Sequence, residues 1–151
     1  MNSTAVLLVN EDNQQLRNMP QELSQLGYDV TTAVSALEGT IALAQHHFDI
    51  IVSDHEMNVE SGLSFLSSVR QKYPHVAKVL VCENMEDQRF VEAKMRGSVN
   101  SVIENPCEPE FLHEHIQLAL EDVSNRINES KTGVVVATFK KLTNYFKQPE
   151  F

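Results

Sequence analysis

Residues 48 to 62 read F-D-I-I-V-S-D-H-E-M-N-V-E-S-G, and no other stretch limits the fold as strongly. Ile50-Ile51-Val52 is a continuous β-branched run without alternation, the pattern of a strand covered on both faces inside a parallel sheet. That run stops on the carboxylate of Asp54. In an open parallel sheet, ligands bind beyond the carboxyl ends of the strands, so an acid closing a central strand stands where chemistry is done. Gly62 then opens a helical pattern through Leu63, Leu66, Val69 and Tyr73, which makes the whole stretch a strand, a crossover loop and a helix.

The same unit recurs along the chain. Val6-Leu7-Leu8-Val9 is a second wholly apolar run, ending on Asn10-Glu11-Asp12-Asn13. Asp12 or Asn13 caps a helix with Leu16, Met19, Leu23 and Leu26 inward, and Gly27 stops it. Pro20 inside that helix predicts a kink or a late start. Tyr28 to Ala33 is the next strand. Ser35-x-x-Glu38 is a capping box that opens a helix with Leu37, Ile41 and Ala44 inward, weakened slightly by Gly39. Ala77 to Cys82 is a fourth buried strand, and a helix over about Glu86 to Met95 has Phe90, Val91 and Met95 as its apolar positions. Ser101 to Ile103 is a fifth strand, closed by Asn105-Pro106. Pro109 begins a last helix with Leu112, Ile116, Ala119, Val123 and Ile127 as its stripe. Five such units predict an α/β fold: a doubly wound five-stranded parallel sheet in the order 2-1-3-4-5. In that order the first and third strands are neighbours, so Asn10, Glu11 and Asp12 meet Asp54 in one acidic pocket.

Net charge narrows the function. At −9, the chain lacks the dense cationic surface that phosphate backbones require, so direct DNA binding is not expected. No leader and no membrane-spanning run is read, which points to a cytoplasmic protein without membrane contact. Cys82 and Cys107 have no metal or redox spacing and read as reduced, structural thiols. The six histidines lack a helix spacing of four with acids in support, and read as surface residues rather than ligands.

At these residues the chain resembles the response-regulator receiver domain of two-component signalling, with its flavodoxin-like, CheY-like fold. The phosphoacceptor loop of that family has the form D-x-x-M-P-x-x-x-G; Asp54, Met57 and Gly62 match, and Asn58 replaces the proline. The late loop N-P-C-E-P-E-F-L, from Asn105 to Leu112, resembles the family's K-P-F-x-P-E-E-L, and Leu26-Gly27-Tyr28 also matches. The resemblance implies that Asp54 is the phosphoacceptor, fed by a histidine kinase or phosphotransfer protein. It also implies Mg²⁺ held by Glu11, Asp54 and the backbone carbonyl of Glu56, with Asp12 as a further acid. A hard, oxygen-bound cation is what a phosphoryl group needs to approach a carboxylate against like charge.

The departures from the family carry equal weight. Asn10 stands at the first acidic position, Asn105 at the lysine position, and the switch hydroxyl falls on Cys82, or on Glu83 by the commoner spacing. A neutral amide is a weaker partner for phosphoryl oxygen than an ammonium, and a thiol is a poor donor. The expectation is therefore an atypical, stand-alone receiver, or pseudo-receiver: not an enzyme, impaired in phosphorylation at Asp54, and acting through a downstream protein target. The alternative is an active phosphotransfer receiver that takes phosphoryl from a histidine kinase or small donor with Mg²⁺. The resemblance places the receiver domain at residues 1–128. Asn128 to Gly133 reads as a hinge, and residues 129–151 as an extension. Within it Val135, Phe139, Leu142 and Phe146 form the stripe of an amphipathic C-terminal helix suited to interaction or dimerisation. The implied homodimer uses this helix or the face of the fourth and fifth helices.

Overall fold

The computed structural model describes residues 3–11 and 17–132, with side chains to residue 128. Asp12 and the stripe from Val135 to Phe146 lie outside the described residues. Strand and helix alternate throughout: β1 Ala5–Val9, α1 Met19–Gln25, β2 Asp29–Ala33, α2 Ala36–Gln45, β3 Ile50–Asp54, α3 Gly62–Lys72, β4 Ala77–Cys82, α4 Gln88–Arg96, β5 Ser101–Glu104 and α5 Pro109–Thr132. All pairings are parallel and the order is β2-β1-β3-β4-β5, as the run pattern predicts. α1 begins only at Met19 with Pro20 in its first turn, where the missing N–H breaks no intrahelical bond. Gly27, at φ 100°, turns the chain out of α1.

β3 and β4 are buried along their whole length, and β1 from Val6 on, because helices cover both faces. Leu7, Val9, Ile51, Leu80 and Cys82 pack with residues of α2, α3 and α4. Val6, Leu8, Ile50, Val52, Val79 and Val81 pack with Met19, Leu23, Leu112 and Ile116 of α1 and α5. Tyr28 leaves the strand, and its ring is buried at the same face. Its hydroxyl meets His113 Nδ1 at 2.6 Å and accepts from Gln117 Nε2 at 2.9 Å, which ties the entry of β2 to α5.

The inward face of α2 differs from the sequence reading. In α2 the inward residues are Ala36, Gly39 and Leu43, while Leu37 and Ile41 are exposed by 72% and 49% and Ala44 is exposed too. A Cβ on Gly39 would stand 2.9 Å from the tip of the Phe65 ring and 3.3 Å from Val9 Cγ2, so α2 approaches the sheet by its smallest residue. In α4, Phe90 and Ala93 are buried, whereas Val91 and Met95 are exposed and line an apolar groove with Met85 and Val102. The expected hinge after Asn128 is also replaced: α5 continues without a break to Thr132.

Lys78 is the exception in the core. It lies on β4 with 2% exposure, at a position that shares its face with Leu80 and Cys82. Its ammonium donates to the Val76 and Tyr73 carbonyls of the loop after α3. Burial first, then the charges of Arg70 and Arg126, lower its pKa from 10.5 to about 8. Between those two values the unfolded chain holds a proton that the folded chain has released, so stability rises with pH. Wild type should therefore gain stability relative to Lys78→Met across pH 8 to 10.5 and show a flat difference below pH 8, as read from urea midpoints at stepped pH. A flat difference throughout would mean that Lys78 ionises normally in the fold.

Candidate functional site

The carboxyl ends of β1, β3 and β4 bring the predicted residues to one edge of the sheet. Val9 pairs with Ser53 and Asp54 with Val81, so Asn10 and Glu11 leave β1 beside the end of β3. Asn10 N–H is taken by the Ala33 carbonyl at 3.0 Å. Asp54 is 1% exposed, and its Oδ1 accepts from Glu56 N–H at 3.3 Å. The loop after it is bound to the sheet by His55 N–H donating to the Val81 carbonyl at 2.8 Å, and it closes on itself by Gly62 N–H donating to the His55 carbonyl at 3.0 Å.

Gly62 explains the last letter of the phosphoacceptor motif. A Cβ there would collide with the Asp54 carbonyl oxygen and stand 2.9 Å from His55 Cα, both backbone atoms that cannot swing aside. The glycine lets α3 begin directly under the strand end, with Ser61 as N-cap accepting from Ser64 N–H at 3.2 Å.

Glu11 is already engaged. Its Oε1 accepts from Asn58 N–H at 3.0 Å. A proline at that position has no N–H to donate, so the replacement of proline by Asn58 creates the donor that holds the carboxylate expected to bind metal. Among the described residues no group of three or more His, Cys, Asp or Glu side chains is placed to hold a metal ion.

On the far side of Asp54, Cys82 pairs with Glu104, and Asn105 N–H donates to the Cys82 carbonyl at 2.9 Å, so the lysine-position residue sits at the tip of β5. Its side-chain Oδ1 is buried with no hydrogen-bond partner among the described residues. The Cys82 thiol is wholly buried and lies 3.6 Å from the Ile103 carbonyl; burial is the chief reason its pKa rises to about 11, so it is a neutral thiol at physiological pH. Glu83 is exposed.

His55 is the residue the sequence reading placed wrongly. It is 6% exposed rather than on the surface, its Nδ1 accepts from Leu63 N–H at 3.4 Å, and its ring meets Phe90 edge-on with centroids 4.7 Å apart. The phosphoacceptor loop thereby touches α4 through an aromatic contact. α4 is held at its entry by Asp87, whose Oδ1 accepts from Arg89 N–H at 2.9 Å and whose carboxyl is drawn down to about pKa 2 chiefly by the hydrogen bond from the Arg89 side chain. The position of His55, directly after a buried strand, was the available signal for its burial. The loss of proline at Asn58 was the signal for the new donor.

The family model for the response regulator receiver domain matches residues 6–117. The chain belongs to the response-regulator receiver family. The receiver is 30% identical over 107 residues to the alginate biosynthesis transcriptional regulatory protein AlgB of Pseudomonas aeruginosa, an alignment that covers 71% of this chain and 24% of that protein. It is 27% identical over 131 residues to the transcriptional regulatory protein GlrR of Escherichia coli, covering 87% of this chain and 29% of that one. It thus spans about a quarter to a third of the curated relatives it matches. Among solved structures, a CheY-like receiver domain protein from Methanospirillum hungatei superposes with a TM-score of 0.74 at 22% identity, over 83% of this chain and 99% of that one. The Vibrio cholerae chemotaxis protein CheY4 superposes with a TM-score of 0.70 at 27% identity, over 78% of this chain and 99% of that one. No helix among the described residues of the receiver is long and apolar enough to cross a membrane.

Gly62 supplies a test of how tightly this site is built. Gly62→Ala should lower stability by about 1–3 kcal/mol through overpacking against backbone, more than Ser61→Ala, which removes one cap worth about 1 kcal/mol. Urea unfolding of both variants measures the difference. A Gly62→Ala midpoint equal to that of wild type would show that the loop yields without cost.

Proposed function

We propose that this receiver signals mainly by protein–protein contact and that Asp54 accepts phosphoryl poorly. The observation that carries this reading is the Glu11–Asn58 hydrogen bond, which engages one oxygen of the carboxylate a metal would need and fixes its orientation. Asn105 supports it, because an amide stands where the family has an ammonium to pair with phosphoryl oxygen. The neutral, buried Cys82 supports it further, since a weak thiol donor is a poor substitute for a switch hydroxyl.

Receiver domains generally use Mg²⁺, and the donors here are chemically suited to it. They are all hard oxygens, and Mg²⁺ is commonly held by one or two carboxylates with waters completing the shell. Glu11, Asp54 and the Glu56 carbonyl are the residues that would hold it. Bound there, the ion supplies neutralisation of charge on the transferring oxygens. Asn58 N–H holds Glu11 Oε1, so an ion joining that set either takes the other carboxylate oxygen in the orientation this bond fixes or displaces the amide. Displacement lowers ion affinity by what the charge-assisted bond contributes, on the order of 1.5–3 kcal/mol when shielded and less at this exposed position. The upstream partner in this reading is a histidine kinase or a phosphotransfer protein, and the downstream one is a protein target.

Incubation with acetyl phosphate and Mg²⁺, followed by intact-mass measurement, tests this directly. The expected result is a minor phosphorylated fraction that disappears in Asp54→Asn. An Asp54-dependent gain of one phosphoryl on most molecules would instead establish the active phosphotransfer reading.

The two departures also predict their own repair. Asn58→Pro removes the donor that holds Glu11, and Asn105→Lys restores the cation, so the double variant should be phosphorylated to a higher occupancy than wild type under the same conditions. Calorimetric titration should show tighter Mg²⁺ binding in Asn58→Pro alone. Unchanged occupancy and unchanged affinity would locate the impairment elsewhere, at Asn10 or Cys82.

A further inference from the structure

At the opposite end of the sheet from Asp54, three cations surround one cavity. The cavity is about 300 Å³ and is lined by Arg70 from the end of α3, Lys78 at the start of β4, Asn100 before β5, and Arg126 from α5. Gly97 gives Arg126 its place: a Cβ there would stand 2.9 Å from Arg126 Nη1, and the residue has φ +82°, which a side chain would strain. Asn100 is fixed on both sides, its Oδ1 accepting from Lys78 N–H at 2.8 Å and its Nδ2 donating to Asp122 at 2.7 Å.

Such a grouping is unexpected in a chain of net charge −9. Part of it has a structural use, because Lys78 binds the Tyr73 and Val76 carbonyls of the loop after α3 and Arg126 pairs with Asp122 at 3.3 Å. That use leaves a surplus. The ammonium has three donors and two are spent on carbonyls, and Arg70 makes no ion pair among the described residues. Arg70 and Arg126 both face Lys78 across the cavity and disfavour its charged form. An anion between them would offset that effect, and guanidinium groups match the geometry of tetrahedral or planar oxyanions. Val123 and Ile127 form an apolar wall for an uncharged remainder of the ligand.

We propose that this cavity is a binding site for the phosphate group of a small phosphorylated ligand, with Arg70, Lys78 and Arg126 as its anion-binding residues. The volume admits a phosphate with a few further heavy atoms. The site is independent of the chemistry at Asp54 and of whether that residue is phosphorylated.

Inorganic phosphate is the probe, titrated into the ¹⁵N-labelled full chain without Mg²⁺ and compared with sodium chloride at matched ionic strength. The expected result is saturable shifts of the Gly97 and Asn100 amides with phosphate and none of that form with chloride. Arg70→Ala and Arg126→Ala should each weaken binding about five-fold or more, the loss of roughly one charge-assisted contact, while their spectra remain those of a folded receiver. Three results would each overturn the proposal: shifts that do not saturate, shifts that chloride reproduces, or saturable shifts confined to the Asp54 loop. Unchanged affinity in both arginine variants would overturn it as well, and would leave the cations as helix-end partners only.

Discussion

The backbone of Gly62 passes so close to the Asp54 carbonyl that no side-chain carbon fits between them. From that approach much of the site follows. It sets where α3 starts, which in turn sets how Phe65 and Leu66 enter the core against β1 and β3. It also folds residues 55 to 61 into a short loop that stays on the sheet edge, held by His55 to β4 and by Asn58 to Glu11. A carboxylate at the end of a strand is usually solvated; here the surrounding loop keeps it 1% exposed. The site is thus a product of one tolerated contact between two pieces of main chain, and the polar residues around it are placed by that contact.

How much of this was legible in the sequence depended on what kind of burial was being read. β1, β3 and β4 were plain because a strand covered on both faces needs an unbroken apolar run, and Val6 to Val9, Ile50 to Val52 and Val79 to Val81 provide it. The strand order followed from chain alternation, and with it the meeting of Glu11 with the loop after Asp54. The helix faces were harder. Reading the largest apolar residues at helical spacing chose Leu37 and Ile41 in α2, yet the sheet is met by Ala36 and Gly39, because close packing favours the residue that takes least room. In α4 too a small residue, Ala93, is the buried neighbour of Phe90, while the larger Val91 and Met95 stay exposed. Apolar character alone does not fix a helix rotation when small residues define the contact. His55 was misjudged for the opposite reason: a polar ring can be buried if its nitrogen meets a backbone donor and its edge meets an aromatic face, as Leu63 N–H and Phe90 provide.

The two ends of the sheet carry opposite electrostatic characters. At the carboxyl end, Glu11, Asp54, Glu56 and Glu104 gather around strand tips with Asn105 in place of a cation. At the amino end, Arg70, Lys78 and Arg126 converge on one cavity. The separation is about the length of β4, six residues or roughly 20 Å, well beyond the distance over which exposed charges act in physiological salt. The buried strands between the two ends carry side chains that are uncharged except for Lys78 at one end and Asp54 at the other.

The bond between Glu11 and Asn58 has a thermodynamic corollary. One carboxylate oxygen is shared by two claimants, the loop's own amide and any ion that enters the acidic edge. Whatever strengthens one claim weakens the other by the same free energy, since affinity changes between linked sites are reciprocal. For an ion held through that same oxygen, a protein that gripped residues 55 to 61 and kept Asn58 against Glu11 would lower the ion's affinity, and the ion would in turn loosen that protein's grip. In a family where the loop bears a proline no such exchange exists through this amide, because there is no proton for the two to contest.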